Sequence, residues 1–278
     1  MIQYNHCQRL RILVTGASGV LGEHISHALS AVAPKIDLVI FNADLADSTS
    51  TDNFISNAGH LDQVIHLAAK VAIDEVNDDP VLAYAVNVSG TLNLIRSLIK
   101  YNRTDHLFFC SSSHVYAPQS FAISEDSELQ PSSLYGRTKL FAETIIRDLC
   151  YKNNIPLCVG RVFSMHDERQ VGSFLRPNLV KRLDEEDLSM PFVLPGAQSV
   201  RDFLTAEQVA HYIIQLSLAR YCGDINIASG KPMTVAQFAS TLTSSALEVI
   251  HTGPVNSIYA DISKLKSFLE KERTSDDT

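Results

Sequence analysis

Tyr135 and Lys139 stand four residues apart in SLYGRTKLFAETIIRDL, a stretch whose apolar residues recur at helical spacing. On a helix both side chains share one face, one turn apart. A phenol that ordinarily ionises near ~10 is a poor proton acceptor at neutral pH unless a neighbouring cation favours the phenolate. A lysine one turn away supplies that cation. The pair therefore suits the proton transfer that accompanies hydride movement to or from a secondary alcohol, above all beside a serine hydroxyl that shares the proton. Serines are on offer in CSSSHVYA, residues 110–117, which follows the apolar run 106–109. Taken alone, a Y-x-x-x-K is more often a helix surface, and three serines a solvated turn.

The elements that must position these groups follow from hydrophobic pattern. Leu10–Thr15, Asp37–Phe41, Gln63–Leu67, Leu107–Cys110 and 156–160 read as buried strands. Val20–Ala33, Val81–Lys100 and Leu134–Lys152 have helical periodicity. Strand–helix alternation predicts an α/β fold, a Rossmann-type doubly wound parallel sheet with helices on both faces. We place a dinucleotide-binding domain at 1–163 and a smaller, irregular substrate-binding part at 164–278, with 201–230 packing back on the first. The span 165–195 reads as loop- and charge-rich, and the closing EKERTSDDT as a solvated tail.

The first strand runs into TGASGVLG, with Gly16, Gly19 and Gly22 at three-residue spacing and Ser18 and Val20 between them. A dinucleotide pyrophosphate needs a tight turn, a close backbone approach and a helix N-terminus, which this loop can provide. The second strand ends at Asn42, with Asp44 two residues later, placed to hold the ribose hydroxyls of NAD or to cap a turn. No Lys or Arg lies between Ile36 and Ala69 to meet the extra phosphate of NADP. NAD is therefore the expected cofactor, with NADP not excluded.

Composition narrows the partners. With 31 acidic against 23 basic residues, the net charge of -8 argues against nucleic acid or an anionic membrane surface. Five scattered cysteines, none in CxxC spacing, point away from a metal cluster and toward a reducing compartment. No apolar run reaches bilayer length, so a cytoplasmic protein is expected.

Several motifs in order make the sequence similar to a known family: TGASGVLG at 15–22, DQVIHLAA at 62–69, NVSGTLNLI at 87–95, CSSSHVY, LYGRTK, RDFLTAEQVA at 201–210 and NIASG at 226–230. Together they resemble the extended short-chain dehydrogenase/reductases, the NAD-dependent epimerase/dehydratase family that acts on nucleotide sugars. The resemblance implies that Ser112 is the chemical hydroxyl, with Ser113 and His114 facing substrate. It places Asp62 and 66–69, with Leu67, Ala68 and Ala69, on the adenine side of the cofactor, and Asn87 near the nicotinamide. Arg201 matches an arginine that pairs with the substrate diphosphate, a use suited to its planar fork. A homodimer through the 81–100 and 134–152 helices is also implied.

Departures from the family pattern shape the expected reaction. Sugar dehydratases carry Asp-Glu after the hydroxyl; here Ser113 and His114 follow, so dehydration is disfavoured. Members that epimerise a ring carbon through a cysteine and a later histidine have that histidine where this chain has Phe174. Ser164 replaces an asparagine that holds the sugar nucleotide, and the family's C-terminal helix and late arginine are missing from the pattern. The expected function is carbonyl–alcohol interconversion on a nucleotide-activated sugar, by a 4-ketosugar reductase or a 4-epimerase. A non-catalytic NAD(P)-sensing module and a reductase of a non-sugar ketone or aldehyde are the rivals.

Overall fold

Valine, isoleucine and leucine fill the first strand so completely that both faces of it must be covered. In the computed structural model, which describes residues 9–31 and 35–276, they are. Ile12 and Val14 enter one apolar layer and Leu13 the other, as strand alternation requires. Strand β1 (Leu10–Thr15) is flanked by β2 (Ile36–Ile40) and β3 (Gln63–His66). Beyond them lie β4 (Leu107–Ser112), β5 (Leu157–Val162) and β6 (Gly223–Ile227). The sheet runs β6-β5-β4-β3-β1-β2, with every neighbour parallel. Strand order reverses between β1 and β3, and at such a switch point the loops beyond the carboxyl ends part to leave a ligand crevice.

Helices cover both faces. Helix α1 (Val20–Ala31) packs Ile25 and Leu29 against one face. Against the other lie α2 (Ser48–Asn57), α3 (Thr91–Lys100) and α4 (Leu134–Lys152), through Ile55, Leu94, Leu98 and Ile146. The expected helix over 81–100 is interrupted. A short helix Pro80–Tyr84 passes through a π-helical turn, Ala85–Gly90, before α3 begins. Such turns gather at functional sites.

The later part of the chain is more regular than its composition suggests. Within 165–195, helix α5 (Leu175–Glu185) buries Leu179 and Leu183 against Phe192, Leu194 and Phe238. Helix α6 (Ala206–Leu218), opened by a capping box on Thr205 and Gln208, lies beside α1 and leads into β6. Parallel pairing of Phe192–Pro195 with Val249–Thr252 closes the small part. Where no closing helix was expected, α7 (Ser263–Asp276) forms, and residues 270–274 within it stay mostly exposed as a solvated stretch. Leu265 and Phe268 dock into the α1/α6 layer, and that burial outweighs the polar composition of EKERTSD. Cys7 and the expected helix end at Ala33 lie outside the described residues.

Candidate active site

The glycine turn joins β1 to α1. Gly16 has φ +71° and Gly19 donates to its carbonyl at 3.1 Å. A Cβ on Gly16 would lie 2.7 Å from the Ala68 nitrogen, and one on Gly22 only 2.1 Å from the Gly16 oxygen. Those two glycines are demanded by packing. Gly19 differs: its nearest neighbour to an added Cβ is 3.5 Å away, so its bareness leaves open space beside the N–H groups of the first α1 turn. Ser18 and Gly19 are exposed at this mouth and Val20 is half-buried. Leu67, Ala68 and Ala69, half-buried, form the opposite lip, with Leu67 and Ala68 donating to Thr15 Oγ1 at 3.2 Å. An unblocked backbone cradle on a helix N-terminus fits a dinucleotide pyrophosphate.

Asn42 and Asp44 are exposed beyond β2, which ends at Ile40. Asp44 accepts from the Ala46 N–H at 2.9 Å, a turn role that leaves its second oxygen available. Asn87, in the π-helical turn, is fully engaged by protein. It accepts from Lys70 N–H at 2.7 Å and donates to Lys70 O at 2.9 Å and to Thr138 Oγ1 at 3.0 Å. It thus fastens the Ala69–Lys70 lip to α4 instead of presenting its amide to the groove. Asp62 needs correction. It precedes β3, accepts from the Arg11 N–H at 2.7 Å, and sits near His60, Asp105 and Arg220 at the amino ends of the strands. That is the end of the sheet opposite the glycine turn.

Ser112 closes β4 and Tyr135 opens α4. Gly136 makes their meeting possible, because a Cβ there would strike the His114 oxygen at 2.1 Å. Ser133 caps α4, accepting from Gly136 N–H at 3.1 Å. Ser112 Oγ accepts from His114 N–H at 3.2 Å and lies beside the Tyr135 phenol, whose ionised form it favours. With one lone pair taken by that N–H, the serine can send its proton toward the phenol oxygen. Ser111 points away to Glu143, at 2.5 Å, and Ser113 is buried behind the turn, its carbonyl accepting from Tyr116. Of the three serines, only Ser112 joins Tyr135.

Burial pushes the Tyr135 phenol up, the Cys110 thiol adds to that, and the neighbouring Ser112 hydroxyl opposes it. The sequence led us to expect a phenol lowered by Lys139. Instead Lys139 is almost fully buried, lies 4.4 Å over the Phe109 ring and is itself lowered, chiefly by burial. Its ammonium makes no hydrogen bond among the described residues, which leaves donors that could meet ribose hydroxyls. The stable form of Tyr135 is the neutral acid.

His114 packs edge-on to Tyr135, ring centroids 5.6 Å apart, and is lowered by burial and then by the charge of Arg201. Arg201 donates through Nη1 to the carbonyls of Val200 and Asn256. No carboxylate pairs with it among the described residues, which is notable in a chain of net charge -8. Its neighbour Asp202, fully buried, accepts from the N–H groups of Ser229 at 2.6 Å and Gly230 at 3.0 Å, and so anchors Arg201 to the turn after β6. Ser164 is half-buried in Ser164–His166, which pairs with Phe203–Thr205 beside Arg201. Gly136, Asp202 and the pair His24–Asp167 escaped the sequence reading. The G in LYG was a signal for the first, whereas nothing local announces the pair.

A parallel sheet with a glycine-lined switch point, and Ser, Tyr and Lys converging beyond it, defines an extended short-chain dehydrogenase/reductase. Comparison agrees. Residues 18–271 match the family model described as GDP-mannose 4,6 dehydratase, and the chain belongs to that family. It is 26% identical to a UDP-glucose 4-epimerase of Dictyostelium discoideum, over 91% of this chain and 88% of that protein. To a GDP-6-deoxy-D-talose 4-dehydrogenase of Aggregatibacter actinomycetemcomitans it is 28% identical, over 84% and 79%. The structure of RMD from Pseudomonas aeruginosa complexed with NADPH superposes with a TM-score of 0.81 at 22% identity, over 93% of this chain and 91% of that one. Among solved structures of this fold, a UDP-glucose 4-epimerase of Thermus thermophilus is in complex with NAD and RMD is complexed with NADPH.

Proposed function

We propose that the protein is a ketosugar reductase, interconverting a carbonyl and an alcohol at one ring carbon of a nucleotide-activated hexose. The observation that carries this reading is the neutral, buried Tyr135 beside the Ser112 hydroxyl, with no carboxylate next to it among the described residues. Bound NAD(P) would supply hydride to the sugar carbon. Tyr135 Oη gives its proton to the developing alkoxide, while Ser112 Oγ holds the same oxygen and stabilises the phenolate left behind. Lys139 supports that phenolate by its charge and holds the nicotinamide ribose. Arg201, a cation beside His114 with no carboxylate partner among the described residues, receives the diphosphate; His114 and Ser164 line the sugar, while Ser113, buried behind the turn, does not reach it. Water elimination needs an acid and a base of its own, and neither Ser113 nor His114 supplies a carboxylate.

The 26% identity to a UDP-glucose 4-epimerase favours a second reading, in which the same groups act twice on opposite faces of the sugar. Purified protein assayed with UDP- and GDP-linked 4-ketohexoses and hexoses separates the two. Stoichiometric consumption of added NAD(P)H supports reduction, and net turnover with tightly retained cofactor supports epimerisation. No turnover of any nucleotide sugar would overturn both.

The protein is also proposed to pair with itself. Val81 is 80% exposed and Phe141 52%, and the Phe141 ring lies 6.2 Å from that of Tyr84, forming an apolar face on two adjoining helical segments. Light scattering should report a dimer that Phe141→Asp converts to monomer.

A further inference from the structure

Four polar side chains fasten the start of α1 to the segment after β5. His24 Nε2 donates to Asp167 Oδ2 at 2.6 Å, across 143 residues of sequence. Arg169 donates to Asp167 Oδ1 from Nε at 3.0 Å and from its N–H at 2.9 Å, and reaches Glu23 Oε2 at 3.0 Å through Nη1. Gln170 closes the turn on itself, its Oε1 accepting from Asp167 N–H at 3.1 Å. Burial opposes the charge of Asp167, but the hydrogen bonds from Arg169 and His24 hold its carboxyl well below the usual range. An ionised carboxylate only accepts, which assigns the proton of the contact to Nε2.

Exposed ion pairs contribute little, yet Asp167 is only 11% exposed and His24 24%, and the contact is one of several at a single carboxylate. Its location gives it meaning. Glu23 and His24 directly follow Gly22, and Glu23 N–H donates to Gly19 O, so the fastening begins on the glycine turn itself. At the other end, Ser164 and His166 belong to the segment that faces substrate, with His166 5.0 Å from the Phe238 ring in the small part's core.

We propose that His24 and Asp167 are positioning residues that couple cofactor binding at the glycine turn to the order of the segment Ser164–Gln170, and through it to substrate affinity. Ligand on one side stiffens the other, and by linkage the effect runs both ways. The substrate end of this coupling rests on the nucleotide-sugar reading; the cofactor end does not.

Hydrogen–deuterium exchange separates the two. Saturating NAD+ or NADPH should slow exchange in peptides covering 164–170 of the wild type by about fivefold, a modest coupling. His24→Phe and Asp167→Asn should lose that response while keeping protection at residues 15–22, and His24→Gln, which retains a neutral donor, should recover most of it. In steady state His24→Phe should raise KM for the nucleotide sugar more than it lowers kcat. Cofactor that leaves 164–170 unchanged in the wild type, or protects it equally in His24→Phe, overturns the coupling. A wild type that shows the response but binds neither UDP nor GDP overturns the nucleotide-sugar reading and leaves the coupling standing. Should His24→Phe fail to fold, the wild-type measurement and Asp167→Asn still decide.

Discussion

The glycine turn and the Arg201 neighbourhood are both proposed to meet ligand, but they are built from different physics. Around Gly16, Gly22 and Gly136 an added methyl would collide with backbone oxygens or nitrogens within 3 Å. Around Arg201, Ser164 and Asp167 the contacts are charge, hydrogen bond and ring stacking on two- and three-residue strands. Backbone collisions leave few alternatives to a residue, whereas polar side chains can be exchanged in sets. The first region therefore keeps its residues and the second is where a chain can change its substrate.

Substitutions can break this contrast. Tyr135→Phe should lower kcat/KM by roughly a hundred- to ten-thousand-fold while leaving thermal stability and cofactor binding nearly intact, since only a proton donor is lost. In the packed region, Gly22→Ala should cost about 1–3 kcal/mol in urea unfolding and weaken cofactor binding, although alanine is the better helix former. If Gly22→Ala were stabilising, the packing argument would be wrong. Arg201→Ala should raise KM for a nucleotide sugar by roughly ten- to a hundredfold and cost only about 1 kcal/mol of stability, since within the protein it donates to the Val200 and Asn256 carbonyls and pairs with no carboxylate among the described residues. A parallel loss of folding would make Arg201 structural and erase the distinction.

Acid titration sharpens the contrast within the sheet. His66 donates or accepts between Thr15 at 2.6 Å and Thr91 at 2.9 Å, and burial, aided by the Lys139 charge, lowers its pKa to about 3. Between that value and the unfolded value near ~6.5, only the unfolded chain binds the proton. Stability is thus complete above about pH 6.5 and falls by about 1.4 kcal/mol per unit as pH drops toward 3. Urea midpoints from pH 7 to 4 test this, and His66→Gln should flatten the slope. The smallest effect is expected at Gly172, where φ is +86° but a Cβ meets nothing within 4 Å. There alanine should cost about 1 kcal/mol of backbone strain and leave kcat/KM unchanged.

What could be read from the sequence follows the same division. Gly16, Gly19 and Gly22 were legible because a turn and a helix start need bare backbone at fixed spacing, and the buried strands because both faces demand apolar residues. Ser112, Tyr135 and Lys139 were legible through motif order. Asp62 was misplaced because a residue at one end of a strand shares a motif with residues at the other, about 3.3 Å per residue away. Asn87 was read as a ligand contact, but its amide is consumed by Lys70 and Thr138. The Tyr135 phenol was expected to be acidified, because spacing reports which groups are neighbours but not how deeply they are buried. The His24–Asp167 contact had no local signature at all, since 143 residues separate its partners.

One pairing sets the order in which the molecule can be finished. Ile123 lies just past the Ser112–His114 turn, and its N–H bonds to Tyr259 O while its carbonyl accepts from Asp261 N–H. A ribosome emits residue 123 long before residue 259, so the rim beside the reactive hydroxyls must wait through more than a hundred further residues before its partner strand exists. During that interval the parallel sheet can assemble through β6, which ends at Ile227, with the bed for α7 still bare. Until then Ile123 stays unpaired, and the segment 259–261 acts as the clasp of that rim.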